Sequence, residues 1–164
     1  MFIKSILLFI LVGCIASCSN NNAKSGDFQK ETAALVRMFE NSNSGAQLNL
    51  NIYKKVMIVP IDMGCETCIQ KCLDFASTSQ GRENLIILSS QTHGYFRNRL
   101  LEFKHELADY KRESVVLDTL NYCFTSGLTD ITPKIYQLDN GEITSMILLY
   151  AVNIDDDLNK LKEN

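Results

Sequence analysis

The run V-M-I-V-P-I-D-M-G-C-E-T-C-I-Q-K-C-L-D-F-A, Val56–Ala76, decides how the rest of the chain is read. Val56, Met57, Ile58, Val59 and Ile61 form a nearly unbroken apolar segment. That pattern predicts a strand buried on both faces of a parallel sheet. Met63-Gly64 breaks the run, and Cys65 falls where the strand gives way to a helix expected to reach about Ser79. A cysteine at a helix N-terminus faces unpaired backbone N–H groups and the positive end of the helix dipole, and both favour thiolate over thiol. Cys68, three residues on, shares that helical face and is within reach for a disulfide. C-E-T-C after a buried strand therefore reads as a redox dithiol.

Outward from this unit, Leu85–Leu88 is a second apolar strand, and Gly81 before it is placed to stop the cysteine helix. Phe96, Leu100, Phe103, Leu107 and Tyr110 recur at spacings of four, three, four and three, which predicts an amphipathic helix. Ser114–Leu117 is a third strand. Strand, helix, strand, helix, strand is the signature of a parallel α/β core with right-handed crossovers. The chain then changes character. Lys134–Leu138 and Glu142–Leu149 flank Asp139-Asn140-Gly141, which predicts an antiparallel hairpin. Ile154, Leu158 and Leu161 line a last short helix begun by Asp155-Asp156-Asp157, acids that suit a helix N-terminus. Upstream, Asp27 is placed to cap a helix from Phe28 to about Glu40, ended by Asn41–Gly45. Leu48, Leu50 and Ile52 alternate with polar partners and predict a short edge strand or extended lead-in.

With 164 residues, the chain has room for one domain. Its 46% apolar content fits an ordinary globular core, and a net charge of −3 with no basic patch argues against nucleic acid as a partner. Residues 1–18 read as a targeting segment: Lys4 is the positive flank and Ile6–Val12 an apolar block, shorter than the roughly 20 residues of a membrane span. I-A-S-C, Ile15–Cys18, resembles a bacterial lipobox, with L-V-G-C at Leu11–Cys14 a second match. Cys18 is the favoured acylation site because the polar run Ser19–Asn22 follows it directly. Residues 19–26 are then a flexible tether, and 27–164 the folded domain with an N-terminal helical extension over 27–52. Export to the bacterial envelope, lipid-anchored and facing the periplasm, is a compartment where disulfides persist. Of six cysteines, Cys65, Cys68, Cys72 and Cys123 remain for the domain.

C-E-T-C opening a helix after a buried strand, with Thr132-Pro133 leading into K-I-Y-Q-L-D-N-G-E-I, resembles the exported TlpA/ResA type of thioredoxin-like lipoprotein over about residues 53–161. The resemblance implies a thioredoxin fold: a central mixed sheet, parallel core plus C-terminal hairpin, flanked by helices. It implies Cys65 as attacking thiol, Cys68 as resolving thiol, and the Ile131-Thr132-Pro133 backbone as the substrate-docking edge. The peptide bond into Pro133 would be cis. No cofactor is implied; the partners would be envelope protein thiols and disulfides and an upstream redox protein. The chain departs from the family at three places. Gly64 stands where an aromatic residue, commonly tryptophan, precedes the first cysteine. Val59 stands where thioredoxin buries an acid, the nearest acid here being Asp62. Glu66-Thr67 replaces Gly-Pro, and the Glu66 carboxylate is expected to oppose thiolate formation at Cys65 and make the couple more reducing.

Other readings use the same residues. Cys72 extends the Cys65–Cys68 stripe, and a free cysteine is commonly a small core hydrophobe; the same holds for Cys123. Cys72 and Cys123 could also exchange with the pair. Cys65, Cys68 and Cys72 with Cys123 or a histidine would be a weak zinc set, one pair plus two singles. Copper delivery by cysteines four apart would need a histidine near the proline loop, where neither His93 nor His105 lies, and a peroxidase would need a threonine and arginine environment the chain does not offer. The rival from another class is a redox-silent thioredoxin-fold module that binds protein or peptide along the Pro133 edge, its cysteines structural.

Overall fold

The computed structural model describes residues 23–41, 49–62, 65–77, 84–92 and 115–162. The expected signal segment with Cys14 and Cys18, the Met63-Gly64 turn, the 96–110 helix and both histidines lie outside the described residues. Along the chain come β1 (Ala23–Ser25), α1 (Gln29–Asn41), a single 3₁₀ turn (Leu50–Ile52), β2 (Lys55–Pro60), α2 (Glu66–Ser77), β3 (Asn84–Ser89) and β4 (Val115–Asp118). There follow α3 (Tyr122–Thr125), β5 (Lys134–Asp139), β6 (Glu142–Leu148) and α4 (Ile154–Lys162).

The strands form one mixed six-stranded sheet in the order β1-β6-β5-β2-β3-β4. β2, β3 and β4 are parallel neighbours, β5 runs antiparallel beside β2, and β6 pairs antiparallel with β5. Strand alternation divides the apolar run of β2 between two layers. Met57, Val59 and Ile61 turn to one face, where α2 and α4 pack through Ile69, Leu73, Phe75, Ile154 and Leu158. Val56 and Ile58 turn to the other, against Leu35, Met38 and Phe39 of α1 and Leu128. β3 divides likewise, Ile86 and Leu88 with the first layer and Leu85 and Ile87 with the second. Burial on both faces is why these strands carry no polar alternation.

The hairpin closes through Asn140 at φ 50° and Gly141 at φ 83°, the left-handed pair a two-residue turn requires. α1 starts as Asp27 Oδ1 accepts the Gln29 N–H at 3.1 Å. Two local expectations are corrected. Leu50–Ile52 is a 3₁₀ turn rather than a strand, because the Asn49 side chain accepts the Asn51 N–H at 3.0 Å and curls the backbone. Ala23–Ser25, inside the stretch read as a tether, pair with Ser145–Ile147 of β6 at the sheet edge.

Candidate functional site

The parallel strands end on the side of the sheet from which α2 departs, and polar groups gather there. Ile61 donates its N–H to Ser89 O at 2.9 Å, extending the β2–β3 pairing by one step. Asp62 then clasps the two strand ends together: its Oδ2 accepts from Ser90 Oγ at 2.7 Å, the Gln91 N–H at 2.7 Å and the Thr92 N–H at 3.1 Å. This clasp lies three residues before Cys65.

Cys65 occupies the N-cap position of α2. Its carbonyl accepts the Ile69 N–H at 3.0 Å, and Glu66 is the first helical residue. An N-cap side chain faces the N–H groups two and three residues ahead, here those of Thr67 and Cys68. The Cys65 sulfur accordingly collects hydrogen bonds, first from the Cys68 thiol and then from the Cys68 and Thr67 N–H groups. Together these hold its pKa below the ordinary thiol value despite some desolvation. Glu66, expected to counter this, is solvent-exposed, and the Cys65 thiol is held below its ordinary value beside it.

Cys68 is its opposite in burial and acidity. It is only 2% exposed, and burial, the hydrogen bond to Cys65 and the Cys65 charge push its pKa up to about 11, with Lys71 pulling slightly the other way. Both residues are free thiols. Lys71 is held by an ion pair to Asp155 at the start of α4, so that helix fixes the cation that acts on Cys68.

Cys72 is fully buried in the layer that holds α2, and Cys123 is fully buried in the opposite layer, beside Met38 at 3.6 Å. Burial raises both thiols, and at Cys123 the Asp118 carboxylate adds to the effect. The sheet therefore separates Cys123 from the other three, and the four-cysteine metal set does not assemble. Among the described residues no cluster of three or more His, Cys, Asp or Glu side chains is arranged to hold a metal ion.

The Ile131–Pro133 segment reaches the dithiol end of the sheet by topology. Ile58 pairs with Lys134 in the antiparallel register, which sets Pro133 beside Val59 near the end of β2. Ile131 is 53% exposed, while Pro133 is buried and its carbonyl accepts the Leu149 N–H at 2.9 Å. The expected cis bond is corrected: every described peptide bond is trans, Thr132–Pro133 included. Trans is the lower-energy isomer of an X–Pro bond by about 0.5–1 kcal/mol. The loop is braced locally instead. Asp130 Oδ1 accepts the Thr132 N–H at 2.8 Å, and Oδ2 pairs with Lys134 Nζ at 3.1 Å. Partial burial works against the Asp130 charge, but these partners outweigh it and hold the carboxyl below its usual range.

Sequence reasoning found Cys65 and Cys68 but missed the Asp62 clasp, the Lys71 cation and the Asp130 brace. Only the last had a local signal, an aspartate two residues ahead of the N–H it accepts, the spacing of an Asx turn. Comparison with known proteins adds nothing further: no protein-family model, no curated protein and no solved structure matches the chain.

Proposed function

We propose that the chain is a thioredoxin-fold thiol–disulfide oxidoreductase of the bacterial envelope, lipid-anchored through Cys18 and facing the periplasm. The observation that carries this reading is the asymmetry of the pair: a half-buried, acidified Cys65 at a helix N-cap and a buried, protonated Cys68 bonded to it. The strand order β6-β5-β2-β3 around the cysteine helix is compatible with a thioredoxin-like sheet and supports the fold assignment.

The Cys65 thiolate attacks one sulfur of a substrate disulfide. A new S–S bond forms to Cys65, the old one breaks, and the second substrate sulfur leaves as a thiolate that takes up a proton. In this mixed disulfide Cys65 has lost its charge. Two of the causes that kept the Cys68 proton in place, the bond to Cys65 and its negative charge, are then gone, while Lys71 remains. Cys68 releases its proton when it is needed as a nucleophile, attacks the Cys65 sulfur and frees the reduced substrate. The two electrons leave on the substrate, and the Cys65–Cys68 disulfide is reduced in turn by a partner thiol protein.

Cys68→Ser tests this directly, since it leaves the first step and removes the second. Incubated with a disulfide-bonded protein, that variant should accumulate a covalent adduct on Cys65 that dithiothreitol releases. Absence of any adduct would favour the redox-silent binding module, a reading supported by the fully buried apolar Val59 where thioredoxin carries an acid.

A further inference from the structure

On the face of the sheet away from α2, a cleft of about 440 Å³ lies between α1 and α3, lined by Lys30, Ala33, Ala34, Arg37, Tyr122 and Ser126 among others. The volume falls within the range of small-molecule sites, roughly 300–1,000 Å³. Seven residues separate Lys30 from Arg37, which sets them on one helical face about 10 Å apart, close enough for two long side chains to converge. Between them the helix presents only two alanines, leaving the space open. Among the described residues neither cation is paired with a carboxylate: Glu31 is off their face at helical spacing, and Glu40, three residues past Arg37, makes no ion pair with it. Across the cleft, Thr125 Oγ1 is bonded to the carbonyls of Asn121 and Tyr122, whereas Ser126 Oγ is shut off from solvent and has no partner. An orphaned buried hydroxyl is unfavourable unless something accepts its proton.

We propose that this cleft binds a small organic oxyanion, a carboxylate or phosphate monoester with a compact aromatic or apolar body. Arg37 grips the oxyanion in the fork geometry that guanidinium offers, Lys30 supplies the second positive charge, and Ser126, which lines the cleft, rotates about χ1 on binding to bring its buried hydroxyl to an anionic oxygen. The body of the ligand lies over Ala33 and Ala34, against the Tyr122 ring. The site is on the opposite layer from Cys65 and does not depend on thiol chemistry.

The test is calorimetric titration of the full chain in mild detergent at fixed low salt, with phenyl phosphate and benzoate as probes and phenol as the neutral control. Saturable one-to-one binding of at least one anion, with none for phenol, is expected; which anion binds identifies the group recognised. Lys30→Ala and Arg37→Ala should each weaken it at least fivefold and Ser126→Ala at least threefold. Lys160→Ala, which removes the same charge from α4 on the other layer, should leave it unchanged. Lys30 and Arg37 are exposed, so their variants should keep the wild-type circular dichroism spectrum. No saturable binding of either anion, equal weakening by Lys160→Ala, or wild-type affinity in Ser126→Ala would each overturn the assignment.

Discussion

Asp118 is the perturbation that tests the polar end of the sheet most severely. It is 4% exposed at the last position of β4. Its Oδ2 accepts from Ser89 Oγ at 2.7 Å and from the Cys123 N–H at 2.8 Å, and its Oδ1 accepts the Tyr122 N–H at 2.8 Å. Ser89 and Cys123 are fully buried, so Asp118→Ala leaves two donors without partner or water; Tyr122 is half-buried and recovers part of its loss. Each stranded buried donor costs about 1–3 kcal/mol, and removing a buried carboxylate refunds some desolvation, so the net loss should be about 2–4 kcal/mol. For a chain of this size that lowers the melting temperature by roughly 5–15 °C. Asp118→Asn keeps one oxygen where the two buried donors point and should cost only about 1 kcal/mol. Ser89→Ala removes a donor along with its need and should cost less than Asp118→Ala. Urea unfolding followed by circular dichroism measures all three, with an unchanged m-value as the sign that only stability has moved. Asp118→Ala within about 0.5 kcal/mol of wild type would refute the hydrogen-bond pattern described at this position.

The thiol assignments make three further predictions. Alkylation at neutral pH should modify Cys65 first, Cys68 slowly, and Cys72 and Cys123 only after unfolding. The rate profile for Cys65 should have its midpoint below the ordinary thiol value of about 8.5 and move upward in Cys68→Ala, which removes the largest stabilising hydrogen bond. Because the folded pKa is depressed, the thiolate's contribution to stability is present above the unfolded value and lost as pH falls through the folded one. Wild type should therefore gain on Cys65→Ser as pH rises through that interval, and a flat difference would refute the assignment. Cys72→Ser places a hydroxyl in an apolar layer and should cost about 1–3 kcal/mol while leaving thiol exchange intact; lost exchange at unchanged stability would make Cys72 a participant in the chemistry.

What the sequence disclosed and what it hid follow from where each signal resides. β2, β3 and the cysteine helix were legible because burial on both faces leaves an unbroken apolar run, and because a C-x-x-C pair marks the helix start. The hairpin was legible because Asn140-Gly141 occupies a backbone region few other residues tolerate. β1 was not, since Ala23–Ser25 has no strand pattern of its own and is held by pairing with β6. The Leu48–Ile52 alternation was too short to distinguish a strand from the turn that the Asn49 side chain imposes. The Asp62 clasp and the Asp118 cluster unite residues 28 to 30 apart in sequence for Asp62, and 29 apart for Asp118 and Ser89, which no local pattern encodes. The asymmetry of Cys65 and Cys68 is intermediate: spacing disclosed the pair, but only packing set which thiol is buried.

The central claim is that Cys65 and Cys68 form a reversible redox couple. It is tested most directly by equilibrating the full chain in glutathione or dithiothreitol buffers of graded potential, then alkylating and mapping the cysteines by mass spectrometry. The account predicts a two-electron transition between free thiols and a Cys65–Cys68 disulfide, absent in Cys65→Ser, with Cys72 and Cys123 reduced throughout. No pairing of Cys65 with Cys68 at any potential would contradict it.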